Sequence, residues 1–82
     1  MLNYNDLIRI LSDIDSKEEM TNFLNGLLTP KERVEFVRRL DIVKMLKQGI
    51  PQHKIAEKLG VGVATVTRGS KELQSGNFRS VI

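Results

Sequence analysis

The chain has no cysteine and a single histidine, His53. Disulfides and cysteine-ligated zinc are thereby excluded, and one histidine among scattered carboxylates makes no metal-ligand cluster. Long apolar runs are also missing. Asp6 and Asp13 interrupt an N-terminus without a basic lead, so neither a signal peptide nor a membrane-spanning helix is expected, and the expected location is cytoplasmic. Nor does the sequence offer paired carboxylates on a cleft, a nucleophile with a base and an orienting group, or a glycine-rich phosphate cradle. The expectation is a protein that is not an enzyme and requires no cofactor. At 82 residues it is expected to form a single domain, 1–82. A chain of this size buries a modest share of its surface, which makes a second subunit a natural source of further burial.

What is present is an uneven distribution of charge. The formal net charge is +3, yet residues 1–29 hold two Lys and Arg against five Asp and Glu, net −3, while residues 30–82 hold eleven against five, net +6. A positive half is the electrostatic footprint of a phosphate-binding surface, although a solvated charged face has the same composition.

Helical periodicity runs through the chain and predicts an all-α fold. Tyr4, Leu7, Ile8, Leu11 and Ile14 fall on one face of a helix running to about residue 13. Ser16 with Glu19 makes a capping-box pattern ahead of Met20, Phe23, Leu24 and Leu27, with a stop near Gly26 to Leu28. Thr29 offers the next N-cap, Pro30 suits a first helical position because its missing N–H would be unpaired there, and Glu32 can reach back to the cap. A central helix over 30–48 follows, closed by Gly49 in a left-handed conformation. It is apolar on more than one side: Val34, Val37 and Leu40 form a stripe, Phe36, Ile42 and Val43 widen it, and Met45 and Leu46 extend it. One small subunit has too little other surface to cover all of this, so a homodimer is expected.

Residues 52–74 predict a helix-turn-helix. Ile55, Ala56 and Leu59 give a first short helix one apolar side, Gly60 supplies a position that accepts φ > 0, and Val63 and Val66 stand three apart on the next helix. Ala56 is small where the second helix crosses the first. Gln52 and His53 at the front of the first short helix, with Val63, Ala64, Thr65 and Thr67 on the second, are the candidate base-reading residues. Lys54, Lys58, Lys71 and Arg33 are candidate phosphate contacts or solvated charge. Double-stranded DNA is the expected partner. Ser75-Gly76-Asn77 is a turn signal, and residues 75–82 make a short tail.

One set of residues is more specific than helix-turn-helix spacing. Leu27-Leu28-Thr29-Pro30, Glu32, Arg33, Arg39, Ile42, Val43, Gly49, Gln52, Leu59-Gly60, Gly62 and above all Ala64-Thr65-Val66-Thr67-Arg68-Gly69-Ser70 resemble the tryptophan repressor family over roughly residues 27 to 73. The resemblance implies an intertwined all-helical homodimer with residues 1–28 as dimerisation helices. It also implies two reading heads in successive major grooves and L-tryptophan as corepressor between the central and recognition helices. The ligand positions it assigns are Thr29, Arg39, Arg68 and Gly69, with Glu72 beside them. Two guanidinium groups can sandwich an aromatic ring and one can hold a carboxylate; both can equally meet phosphates. Glycine within a helix costs about 1 kcal/mol relative to alanine, and the family's reason for it at Gly69 is a ligand against the backbone.

Four positions depart from the pattern. Gly26 stands in place of a leucine of the pocket wall, Glu72 in place of a small hydroxyl residue, His53 in place of a base-reading arginine and Ala56 in place of a lysine. Glu72 can meet a ligand ammonium or pair with Arg68 four residues earlier. The family's last helix has no counterpart in residues 75–82, which implies a thinner dimer interface. The leading expectation is a repressor on a pseudo-palindromic operator, with L-tryptophan or a related small ligand as corepressor. The alternative is a sigma-factor-like or antitoxin-like interaction module that binds a protein through its acidic N-terminal helices.

Overall fold

In the computed structural model, which describes residues 1–81, five helices follow one another: α1 (Tyr4–Asp13), α2 (Lys17–Leu27), α3 (Pro30–Lys47), α4 (Gln52–Leu59) and α5 (Val63–Gln74). No strand occurs among the described residues, so the all-helical class expected from the sequence is found. None of these helices is long and apolar enough to cross a membrane.

Local chemistry sets where the helices begin. At α1 the Asn3 side chain accepts from the Asp6 N–H and the Asp6 carboxylate accepts from the Asn3 N–H at 2.8 Å, a reciprocal cap that the apolar spacing did not signal. Ser16 Oγ accepts from the Glu19 N–H at 3.0 Å and so caps α2. At α3 the pattern is complete: Glu32 N–H donates to Thr29 Oγ1 at 3.2 Å and Thr29 N–H donates to Glu32 Oε1 at 2.9 Å. The Thr29 backbone N–H, then its hydroxyl, hold the Glu32 carboxyl below its ordinary value. Gly49, just past the end of α3, takes the expected left-handed conformation with φ 79°.

The chain forms two compact units, Met1–Arg33 and the part from Val34 onward. In the first, neither α1 nor α2 has a fully buried side chain. The half-buried stripe of α1 is Leu7, Ile10 and Leu11, continued by Ile14. Tyr4 and Ile8, expected on that face, fall on its edge and stay exposed, because the stripe is centred through Ile10.

The second unit holds the core. Ile42 and Met45 of α3, Ile55 and Ala56 of α4 and Val66 of α5 are buried together, with Leu46, Ile50, Leu59 and Val61 packed around them. Full burial of aliphatic side chains such as Ile42, Ile55 and Val66 stabilises by about 1.5–3 kcal/mol each. Gly60 closes α4 at φ 66°, ψ 36°, and the Val61 N–H donates to the Ala56 carbonyl, so the chain turns sharply between α4 and α5. The apolar surface of α3 divides. Ile42, Val43 and Met45 are buried, whereas Val34, Phe36, Val37 and Leu40 remain exposed.

Gly69 lies where α5 runs against α3. A Cβ there would stand 2.9 Å from Ile42 Cγ2 and 3.8 Å from Leu46 Cδ1. Helix packing therefore calls for glycine at this position whether or not a ligand lies beside it. Gly69→Ala must displace the β-branch methyl of Ile42. Such overpacking costs about 1–3 kcal/mol, against about 1 kcal/mol gained in helix propensity. The expected outcome in urea denaturation is a net loss of up to about 2 kcal/mol, partly restored by Ile42→Leu in the same chain, which removes the β-branch. A Gly69→Ala variant more stable than the wild type would show that the helices do not meet there.

The Glu32 cap carries a pH signature. Its folded-state pKa lies below the ordinary 4.5, so its contribution is complete above that value and is lost as pH falls through the lower folded-state pKa. Thr29→Ala removes the hydroxyl and leaves the backbone N–H, so the Glu32 carboxyl resonance should titrate partway back toward 4.5. A Glu32 titration unmoved by that substitution would remove the hydroxyl from the account.

Candidate nucleic-acid interface and ligand cavity

The helix-turn-helix is anchored on one side and bare on the other. Val66 in the second turn of α5 is fully buried against Ile55 and Ala56, while Val63, Ala64 and Thr65 in the first turn are exposed. Gly62, the N-cap, makes no side-chain cap bond, so the leading N–H groups of α5 have no side-chain acceptor. His53 and Lys54 at the front of α4 are exposed, as are Lys58 and, on α5, Lys71. The start of α5 thus presents methyl and hydroxyl groups, and exposed lysines stand on both α4 and α5.

Two of the residues expected to read bases are bonded to each other. Thr67 Oγ1 donates to Gln52 Oε1 at 2.8 Å in a half-buried setting, and this bond joins the start of α4 to the middle of α5. Gln52 thereby spends its carbonyl inside the protein and keeps its amide NH₂ as the donor group. Arg33 is half-buried, and its Nε is buried without a hydrogen-bond partner among the described residues.

Beside α5 lies a cavity of ≈ 270 Å³, lined by Arg39, Ile42 and Val43 of α3, Thr65, Arg68, Gly69 and Glu72 of α5, and Asn77 and Phe78 beyond it. Four of the five expected ligand residues, Arg39, Arg68, Gly69 and Glu72, meet here. Thr29 belongs to the N-terminal unit, where it caps α3. Thr65 reaches both the bare face of α5 and this wall. Asn77 and Phe78 were not among the expected residues, because a turn signal states only that the chain bends.

Three side chains of the cavity, those of Arg39, Glu72 and Asn77, are already engaged. The Arg39 guanidinium stands 5.4 Å from the centre of the Phe36 ring, a stacking within its own helix. Such an exposed cation–π contact is worth about 0.5–1 kcal/mol, little enough for another aromatic ring to compete. Glu72 accepts from the Asn77 side-chain amide at 2.7 Å. The local pairing of Glu72 with Arg68 does not form; among the described residues the ion pair is that of Arg9 with Asp6, at 2.9 Å. No group of three His, Cys, Asp or Glu among the described residues is placed to hold a metal ion.

The family model for Trp repressor protein matches residues 3–80. The Trp operon repressor homolog of Vibrio cholerae serotype O1 is 40% identical over 73 residues, which cover 88% of this chain and 71% of that protein. The Trp operon repressor homolog of Aliivibrio fischeri (strain MJ11) is 43% identical over 76 residues, covering 88% and 70%. No solved structure gives a significant match. With a family match across nearly all of its length, and with the ATVTRGS segment lying on a helix that packs against the central one, the chain belongs to the Trp repressor protein family.

Proposed function

We propose that the protein is a sequence-specific DNA-binding transcriptional regulator, a repressor that occupies a pseudo-palindromic operator as a homodimer. The observation that carries this reading is the division of α5: Val66 is fixed in the core while Val63, Ala64 and Thr65 stand bare at the helix start. Short side chains there let the backbone approach the major groove, where methyl groups meet thymine methyls and hydroxyls meet base edges or phosphates. Residues 30–82, with their net +6, supply the phosphate attraction. His53 and the Gln52 amide extend the reading surface, and Lys54 and Lys71 hold phosphates.

Dimerisation is supported by surface that a lone chain leaves bare. Val34, Phe36, Val37 and Leu40 of α3 are 42–58% exposed, and α1 and α2 have no fully buried residue. A two-fold dimer would place two recognition helices on half-sites about one helical turn apart.

The cavity suits a small zwitterion. Arg68 offers a carboxylate partner, Glu72 an ammonium partner, and Arg39 a planar cation for an aromatic ring. At ≈ 270 Å³ it lies just under the usual volume of sites for drug-sized ligands, a scale fitting an amino acid. L-tryptophan, or a related aromatic amino acid, is the corepressor we assign to it, with Thr29 a contact by family pattern alone. The chain has no tryptophan, so the ligand's own fluorescence reports binding directly.

Selection from random duplexes should recover an enriched palindrome. Thr65→Ala should alter the preferred sequence, whereas Lys54→Ala should weaken all sequences alike and flatten the salt dependence by up to about one unit. L-tryptophan should tighten binding to the selected duplex. Recovery of no enriched sequence would end the specific-reading account; equal affinity with and without L-tryptophan would end only the corepressor assignment.

Sedimentation at micromolar concentration should show a dimer. Val37→Glu, which puts an unpaired charge in the proposed interface, should shift it to monomer. A wild type that sediments as a monomer would rule the dimer out.

A further inference from the structure

Beyond α5 the chain doubles back on itself. Gly76, at φ 88°, makes the reversal, and Arg79 folds over it: a Cβ on Gly76 would stand 2.9 Å from Arg79 Nη2. The returning segment is bonded to two helices. Lys47 Nζ, at the end of α3, donates to the Phe78 carbonyl at 2.8 Å and to the Val81 carbonyl. On the other side, Asn77 Nδ2 donates to Glu72 Oε2 at 2.7 Å and the Asn77 N–H to the Glu72 carbonyl at 3.3 Å. Phe78 is half-buried and forms part of the cavity wall.

We infer that residues 75–81 brace the recognition helix against the central helix, with Lys47, Asn77 and Phe78 as positioning residues. Helix α5 meets α3 closely at Gly69 and through the core around Val66. Helix α5 is also joined to α4, by Val66 against Ile55 and Ala56 and by the Thr67–Gln52 bond, so α4 and α5 can rock as one body about the contact with α3 at Gly69. Asn77 and Phe78 of the brace line the cavity beside that contact, and the segment is bonded to α3 through Lys47 and to α5 through Glu72. It therefore carries within the chain part of the orienting task that a bound ligand would perform. The two act on one equilibrium, the pose of α5, so each lessens what the other must supply.

The inference rests on reading α5 as the DNA-recognition helix, and its test separates the two. Affinity for the selected operator and for a scrambled duplex would be measured without any amino acid present, for wild type, Phe78→Ala, Asn77→Ala, Lys47→Met and Lys47→Arg. The brace predicts that Phe78→Ala and Lys47→Met lower the operator-to-scrambled affinity ratio by about fivefold or more, and that Lys47→Arg restores it. Taking the ratio cancels the uniform loss expected from removing a cation. Hydrogen exchange across residues 63–74 gives a readout without DNA: faster exchange is expected in Phe78→Ala and Lys47→Met. Should Phe78→Ala fail to fold, Lys47→Met, which alters no core residue, decides. Unchanged ratios together with unchanged exchange would overturn the brace. A wild type that does not distinguish operator from scrambled duplex would instead sink the DNA reading, with hydrogen exchange still deciding the brace.

Discussion

The approach of α5 to α3 at Gly69 governs what the protein can present to a partner. With no Cβ at that position, α5 settles against the β-branch of Ile42, a residue only 2% exposed. Packed interiors do not deform continuously, so this contact fixes the line along which α5 lies. Ile55 and Ala56 then fill the space beneath Val66, and Gly60 turns the chain sharply enough to keep α4 and α5 in register. Remove the close approach, and neither the bare first turn of α5 nor the cavity beside it keeps its place.

That cavity is the other face of the same constraint. Beside the close approach of α5 to α3 at Gly69 a space remains, and charged groups from both helices line it. Arg39, Arg68 and Glu72 bring both signs of charge to one small volume, with Ile42 and Val43 as its apolar wall. On the proposed corepressor reading, a ligand that fills the space would act on the pose of the helix that forms its wall.

Features set by residues close in sequence were legible from the amino-acid order. The Thr29–Glu32 cap, the left-handed Gly49 and Gly60 and the small Ala56 follow from short-range rules, and the structure shows each of them. Contacts across longer separations were not legible. The Thr67–Gln52 bond spans fifteen residues and the Lys47–Phe78 bond thirty-one, and no periodicity encodes either. Gly69 was singled out by its cost in a helix, but the sequence could not say that its nearest neighbour would be Ile42 of another helix. Arg39, Arg68, Gly69 and Glu72 of the cavity were named by family likeness; Ile42, Val43 and Thr65, and Asn77 and Phe78, which that likeness does not reach, went unseen as cavity residues.

Helix α5, anchored by Val66, is proposed to read DNA with the turn that precedes that residue. The most direct test of this reading is titration of isotope-labelled protein with the selected operator duplex, followed by backbone amide resonances. The largest changes should fall on residues 63–65 and on His53 and Lys54, with Ile55 and Val66 shifting little because the core does not rearrange. Changes concentrated in residues 1–28, with those of α5 undisturbed, would contradict the account.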